Sequence, residues 1–145
     1  MSTVVNVIKG IHEHYVVEVD GQRFDGQFTM ICACNGKFYG GGFCPVPAAD
    51  PTDGKLEVLL VTKVSRLQVL NIIGKYKNGR YKELSNLVRY FKTDSVKITC
   101  DKPSPIQLDG ELHTAQVVQM QVADKKLRFF YPKALSFAAK EPVHT

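Results

Sequence analysis

The stretch YVVEVDGQRFDGQFTMICACNG, residues 15–36, decides the fold class. Tyr15 to Val19 runs as a β-like segment into Asp20-Gly21, a dipeptide suited to two-residue hairpins because both of its positions tolerate a left-handed backbone. Gln27 to Cys34 is a second β-rich run and ends at Asn35-Gly36, another turn signal. Together they predict an antiparallel meander. Working outward, further strands are expected at Leu56 to Thr62, Val88 to Phe91, Ser95 to Cys100, Ile106 to Leu108, Ala115 to Val122 and Leu127 to Tyr131. Breaks are expected at Asp101-Lys102-Pro103 and Ala123-Asp124-Lys125. Many short strands at this spacing fit an antiparallel β-sandwich or open barrel better than a doubly wound sheet.

One segment has a different period. In VSRLQVLNIIGKY, residues 64–76, Val64, Leu67, Leu70 and Ile73 recur at helical spacing. Ser65 is placed to cap the N-terminus, and Gly74 or Asn78-Gly79 to end the helix. The expectation is a mainly-β domain with one amphipathic helix. No repeat, low-complexity tract or linker divides the 145 residues, so residues 1–145 read as one domain.

Composition narrows the class. Hydrophobic residues make up 44% and charged residues 23%, which argues against disorder, and no apolar run approaches the roughly 20 residues of a transmembrane helix. The opening MSTVVNVIKG lacks a basic segment followed by an apolar one, so the cytoplasm is the expected compartment. Cys32, Cys34, Cys44 and Cys100 include no C-x-x-C pair, and residues two apart on a strand share a face, so free thiols are expected. The net charge of +5 is concentrated: Lys63 to Lys97 holds nine basic residues against Glu83 and Asp94. Such an excess attracts phosphates, anionic headgroups or nucleic acid, and serves equally as a solvated face.

Several motifs admit both chemistry and plain structure. Gly40-Gly41-Gly42 in NGKFYGGGF lacks the phosphate-loop pattern and reads as a bend between strands that also lets another backbone or ligand approach. Asp50 and Asp53 in PAADPTDGKLEV read as a turn into the Leu56 strand, while carboxylate and carbonyl oxygens there also suit a hard cation. His12 and His14 flank Glu13, and His113 follows Glu111 by two; all read as surface or strand histidines, with His113 placed to join an acid-base cluster. Asp109-Gly110-Glu111 is an ordinary hairpin tip or a pair of acids at a loop, where a carboxylate can take a hydroxyl proton.

Taken in order, NGKFYGGGF, DPTDGKLEVLLV, SRLQVLNII with KNGRY, and PIQLDGE resemble the C-terminal half of the bacterial diacylglycerol kinase-like lipid kinases, a superfamily that includes the sphingosine and ceramide kinases. The resemblance runs from about Val16 to Tyr131. It implies a β-sandwich that shapes the lipid site beside an N-terminal α/β domain that holds ATP. The Gly-Gly-Asp-Gly signature of that first domain is missing from the sequence, so the chain is expected to be the second half and inactive alone. By the same resemblance Glu111 is the proton acceptor, Asp109 its accompanying acid, and the Asp50–Lys55 loop a site for structural Mg²⁺ or Ca²⁺. There Asp53 would give its side chain, and Asp50 and Lys55 their carbonyls. The implied partners are a diacylglycerol or sphingoid-type lipid, the N-terminal nucleotide-binding domain and an anionic membrane surface met peripherally. An apolar surface left bare by a missing domain could also form a homodimer.

Two other classes compete. A stand-alone β-domain that binds lipid or protein without catalysis keeps the sandwich and does not need Glu111. A nucleic-acid-binding barrel needs aromatic and basic residues interleaved on an exposed face, and Arg89-Tyr90-Phe91-Lys92 reads equally well as alternating core and surface. No nucleic-acid partner is expected.

Overall fold

Two Asp-Gly turns frame the sheet. In the computed structural model, which describes residues 12–124 and 128, strands β1 (Glu13–Val19) and β2 (Gln22–Cys34) are joined through Asp20 and Gly21, with φ of 51° and 70°. Strands β5 (Ser95–Leu108) and β6 (Glu111–Gln121) are joined in the same way through Asp109 and Gly110, with φ of 46° and 100°. Both turns keep the left-handed backbone that matches strand twist, which is why Asp and Gly stand there. With β3 (Leu56–Thr62) and β4 (Val88–Thr93) the strands form one six-stranded antiparallel sheet in the order β4-β3-β2-β1-β5-β6. The strand expected at Leu127 to Tyr131 lies outside the described residues.

The sheet folds over on itself. Val17 and Val19 of β1, Val96 and Ile98 of β5, and Val58 and Leu60 of β3 share one core cluster, although β3 and β5 are not neighbours in the sheet. The rings of Phe24 at the start of β2 and Phe91 on β4 lie 5.2 Å apart, which closes the same layer from the other side. The bend falls in β2, where pairing with β3 shifts register between Phe28 and Met30. One continuous sheet thereby makes two packed layers, the sandwich expected from the strand spacing.

Strand β3, LEVLLVT, is buried on both faces. Val58 and Leu60 enter the core between the layers, while Leu59 and Val61 enter a second cluster with Val46, Ala49, Tyr76, Tyr81, Leu84 and Val88. That second cluster lies under helix α1 (Arg66–Lys77), the short 3-10 helix Tyr81–Leu84 and the loop before β3.

Helix α1 begins at a reciprocal cap. The Ser65 hydroxyl accepts from Gln68 N–H at 3.4 Å, and the Gln68 side chain accepts from Ser65 N–H at 2.8 Å. It ends where Gly79 takes φ of 72°, with Gly79 N–H donating to the Tyr76 carbonyl and Arg80 N–H to that of Lys75. Gly74, the other candidate end, lies inside the helix.

Two expectations change. Of the stripe Val64, Leu67, Leu70 and Ile73, Val64 is buried but lies outside the helix, and Leu67 and Leu70 are 76% and 67% exposed. The helix instead meets the core through Tyr76, supported by Ile72, because its C-terminal turn is pinned to the loop before β3. There Cys44 N–H donates to the Lys77 carbonyl at 2.8 Å. Asp101-Lys102-Pro103 does not end a strand either. It is absorbed as an irregularity in β5, between Thr99 and Ser104, just past the last β1 partner at Cys100, where a missing proline N–H is tolerated.

Candidate functional site

The two acidic candidate sites, the Asp109-Glu111 hairpin tip and the Asp50–Lys55 loop, lie in separate places. Asp109 sits in the β5–β6 turn, and Glu111 opens β6 opposite Leu108. Backbone pairing of β5 with β1 ends at Cys100, and the Ser104 hydroxyl still donates to Glu13 of β1 at 2.7 Å; beyond it, residues 105–114 of the hairpin are largely exposed. Glu111 is 83% exposed at its tip, and its carboxylate lies 3.5 Å from His113 Nε2, the same-face neighbour two residues on. Leu108 and Leu112 flank it and are also exposed. The tip thus presents an exposed carboxylate between two exposed leucines.

The Asp50–Lys55 loop is a chain of local turns. The Asp50 carboxylate accepts from Thr52 N–H at 2.9 Å and from the Thr52 hydroxyl at 2.7 Å, which holds it below the usual carboxylate range. One Asp53 oxygen accepts from Lys55 N–H at 2.9 Å, and the other meets Lys92 Nζ at 2.7 Å. The Asp50 carbonyl accepts from Asp53 N–H at 3.3 Å, and the Lys55 ammonium turns 3.7 Å away to Asp94. Arranged in this way, the loop does not fit a divalent cation: both carboxylate oxygens of Asp53 and the Asp50 carbonyl, among the oxygens assigned to the ion, already serve protein donors. Among the described residues no group of three His, Cys, Asp or Glu converges on such a position. No hydrogen bond or ion pair links this loop to Asp109 or Glu111 among the described residues.

Sequence reading passed over Glu57. It is 1% exposed, the Tyr90 hydroxyl donates to it at 2.5 Å, and Lys92 Nζ lies 3.6 Å from its other oxygen. The signal was available as a charged residue inside the apolar run LEVLLV, but its meaning needs the β3–β4 register, which sets Glu57 directly opposite Lys92.

The glycine run bends as expected. Gly40, Gly41 and Gly42 all take positive φ between Tyr39 and Phe43, which bridge each other. Beside them the Tyr39 hydroxyl donates to that of Tyr76 at 3.2 Å. All four cysteines are free thiols. The Cys32 thiol is lowered to about 7 by hydrogen bonding with Cys34, Tyr76 and Tyr39, whereas Cys34 is pushed up by the same contact.

Much of the basic stretch is engaged locally. Arg80 and Lys75 pair with Glu83, Lys97 with Glu18, Arg89 lies over the Phe24 ring and Lys77 over that of Phe43. At the opposite end of β1 from its hairpin turn, His14 is held between Asp25 of β2, 2.8 Å from Nε2, and Asp101 of β5, 3.1 Å from Nδ1. A cavity of about 550 Å³ lies beside it, lined by His12, Glu13, Asp101, Lys102 and Ser104.

Hydrogen bonding to Asp101 raises the His14 pKa above 6.5 against desolvation, which opposes it, with the Asp101 charge and Asp25 adding to the rise. A raised folded pKa means that the native state holds the proton longer. The clamp's contribution is therefore full below pH 6.5 and is lost as pH rises through the folded value. Comparing the pH dependence of Tm with that of His14→Gln should show wild type losing its advantage above pH 6.5. Parallel curves would contradict the clamp.

The chain's relatives match this architecture. Residues 2–131 match the family model described as the YegS C-terminal NAD kinase beta sandwich-like domain. A Staphylococcus aureus (strain MRSA252) protein named "Putative lipid kinase SAR0780" is 25% identical over 122 residues, covering 83% of this chain and 40% of that protein. A solved diacylglycerol kinase structure from Bacillus anthracis str. Sterne superposes with a TM-score of 0.57 at 17% identity, over 81% of this chain and 43% of the other. A second from the same organism, titled a "putative diacylglycerol kinase", gives a TM-score of 0.59 at 19% identity, over 83% and 43%. The chain thus spans about two fifths of the length of the relatives it matches. With 130 of 145 residues inside the family model, the chain belongs to the family of YegS C-terminal NAD kinase beta sandwich-like domains.

Proposed function

We propose that this domain is the lipid-substrate part of an ATP-dependent lipid kinase, with Glu111 as the base that takes the proton of the lipid hydroxyl. The observation that carries the reading is the exposed tip of the β5–β6 hairpin, which holds Glu111 open to solvent between Leu108 and Leu112 in a chain whose relatives are named lipid kinases. In phosphoryl transfer the lipid oxygen forms a bond to the γ-phosphorus while the bond from that phosphorus to the β,γ-bridging oxygen breaks and ADP leaves. The hydroxyl proton passes to a Glu111 oxygen. Asp109 keeps that oxygen at the end of the hairpin by holding the turn. ATP with its Mg²⁺ belongs to the nucleotide-binding half, so that the lipid meets the phosphate between the two. Exposed Leu67 and Leu70 and the hairpin leucines supply apolar contacts for acyl chain or for that second domain. Basic residues between Lys63 and Lys97 orient the domain toward anionic headgroups, at about 1 kcal/mol for each residue close to the surface.

The 145-residue chain, mixed with labelled ATP and diacylglycerol in anionic vesicles, is expected to sediment with the vesicles in low salt and to label no lipid. Lipid phosphorylation by the chain alone would overturn the division of labour between the two halves.

A further inference from the structure

The Asp53 loop already contains a cation. We propose that the ammonium of Lys92 is the resident positive charge of this loop, holding Asp53 and the buried Glu57 together in the role a divalent ion would otherwise fill. A metal can then bind only in exchange for Lys92. The inference stands apart from the kinase reading, since it concerns only the donor atoms of the loop.

Three observations converge on it. The β3–β4 ladder sets Glu57 and Lys92 opposite one another, so the sheet itself delivers the ammonium to the mouth of the loop. Lys92 Nζ lies 2.7 Å from Asp53 and 3.6 Å from Glu57, within ion-pair reach of both carboxylates. The remaining oxygens are also engaged, Asp53 by Lys55 N–H and Glu57 by the Tyr90 hydroxyl. Glu57 is almost wholly enclosed, and a buried carboxylate needs both a counter-charge and hydrogen bonds. Removing the ammonium leaves two carboxylates facing one gap. Such a pair either repels or captures a hard cation, because Ca²⁺ and Mg²⁺ are bound by carboxylate oxygens together.

The test is thermal unfolding and calorimetry with CaCl₂ or MgCl₂ on the full chain, which reads binding without any activity. Wild type should keep the same Tm in chelator and in millimolar metal, and show no saturable binding below about 1 mM. Lys92→Met should melt lower in chelator, regain about 4 °C or more with Ca²⁺, and bind it about tenfold tighter than wild type. Lys92→Arg, which keeps a cation, should remain indifferent to metal. Micromolar binding to the wild type, or a Lys92→Met protein that folds and ignores metal, would overturn the proposal. Should Lys92→Met fold in neither buffer, calorimetry on the wild type decides alone.

Discussion

Glu111→Gln, placed in a fusion of this chain to the part of its Staphylococcus aureus relative that the chain does not cover, should lower kcat for lipid phosphorylation by about 10²- to 10⁴-fold. Glutamine keeps the size and hydrogen-bonding reach of the carboxylate but cannot take a proton. Its lost function should therefore fall on the chemical step, with the KM for lipid little changed. Stability should not move, because the side chain is 83% exposed and its ion-pair partner in the structure is His113 at 3.5 Å. Surface charge pairs of this kind contribute little to folding. An unchanged kcat with equal Tm would remove Glu111 from the mechanism. A raised KM with unchanged kcat would make the hairpin tip a lipid contact and leave the base elsewhere.

The largest effect on folding is expected at Gly79. It takes φ of 72°, and a Cβ built there would overlap the ring of Pro47 and stand 2.9 Å from the Cys44 carbonyl. Gly79→Ala thus combines a left-handed backbone forced on a residue with a side chain and an overpacked contact with a proline ring. Together these cost about 3 kcal/mol. The damage should spread to the loop before β3, since Cys44 N–H is bonded to the helix end at Lys77. Gly21→Ala is the control. Its φ is 70°, but nothing lies within 4 Å, so only the backbone cost of about 1 kcal/mol remains. Denaturant unfolding of the two variants should separate them clearly, and equal stabilities would mean that Pro47 does not close on Gly79.

Much of the fold is written locally. Asp20-Gly21 and Asp109-Gly110 form the expected turns because few other residue pairs accept two consecutive positive φ values. Ser65 and Asn78-Gly79 bracket the helix for equally local reasons, a hydroxyl for free N–H groups and a glycine for a left-handed exit. What local chemistry does not carry is the partner of each face. Leu67 and Leu70 keep helical spacing, yet periodicity does not reveal whether anything covers them, and here they stay exposed. Pro103 resembles a strand end until β1 is seen to stop pairing at Cys100. The bend in β2, which turns a meander into two layers, has no signature in the run Gln22–Cys34.

The site divides along the same line. Asp109 and Glu111 are legible as a hairpin tip, and family order, not local sequence, turns the tip into chemistry. Asp50 and Asp53 are legible as turn acids, but their neighbour Lys92 is 39 residues from Asp53 and arrives only through the β3–β4 register. Glu57 was passed over for the same reason. Its burial is decided by a strand covered on both faces, and its charge by a lysine on the next strand.

The central claim is that the phosphorylated hydroxyl is held against this domain. The most direct measurement is transfer of label from γ-labelled ATP to diacylglycerol by the half of the Staphylococcus aureus relative that this chain does not cover, alone and fused to this chain. Labelled lipid is expected with the fusion and not with the isolated half. Equal labelling in the two would contradict the account, since the lipid site and its base would then belong to the other half.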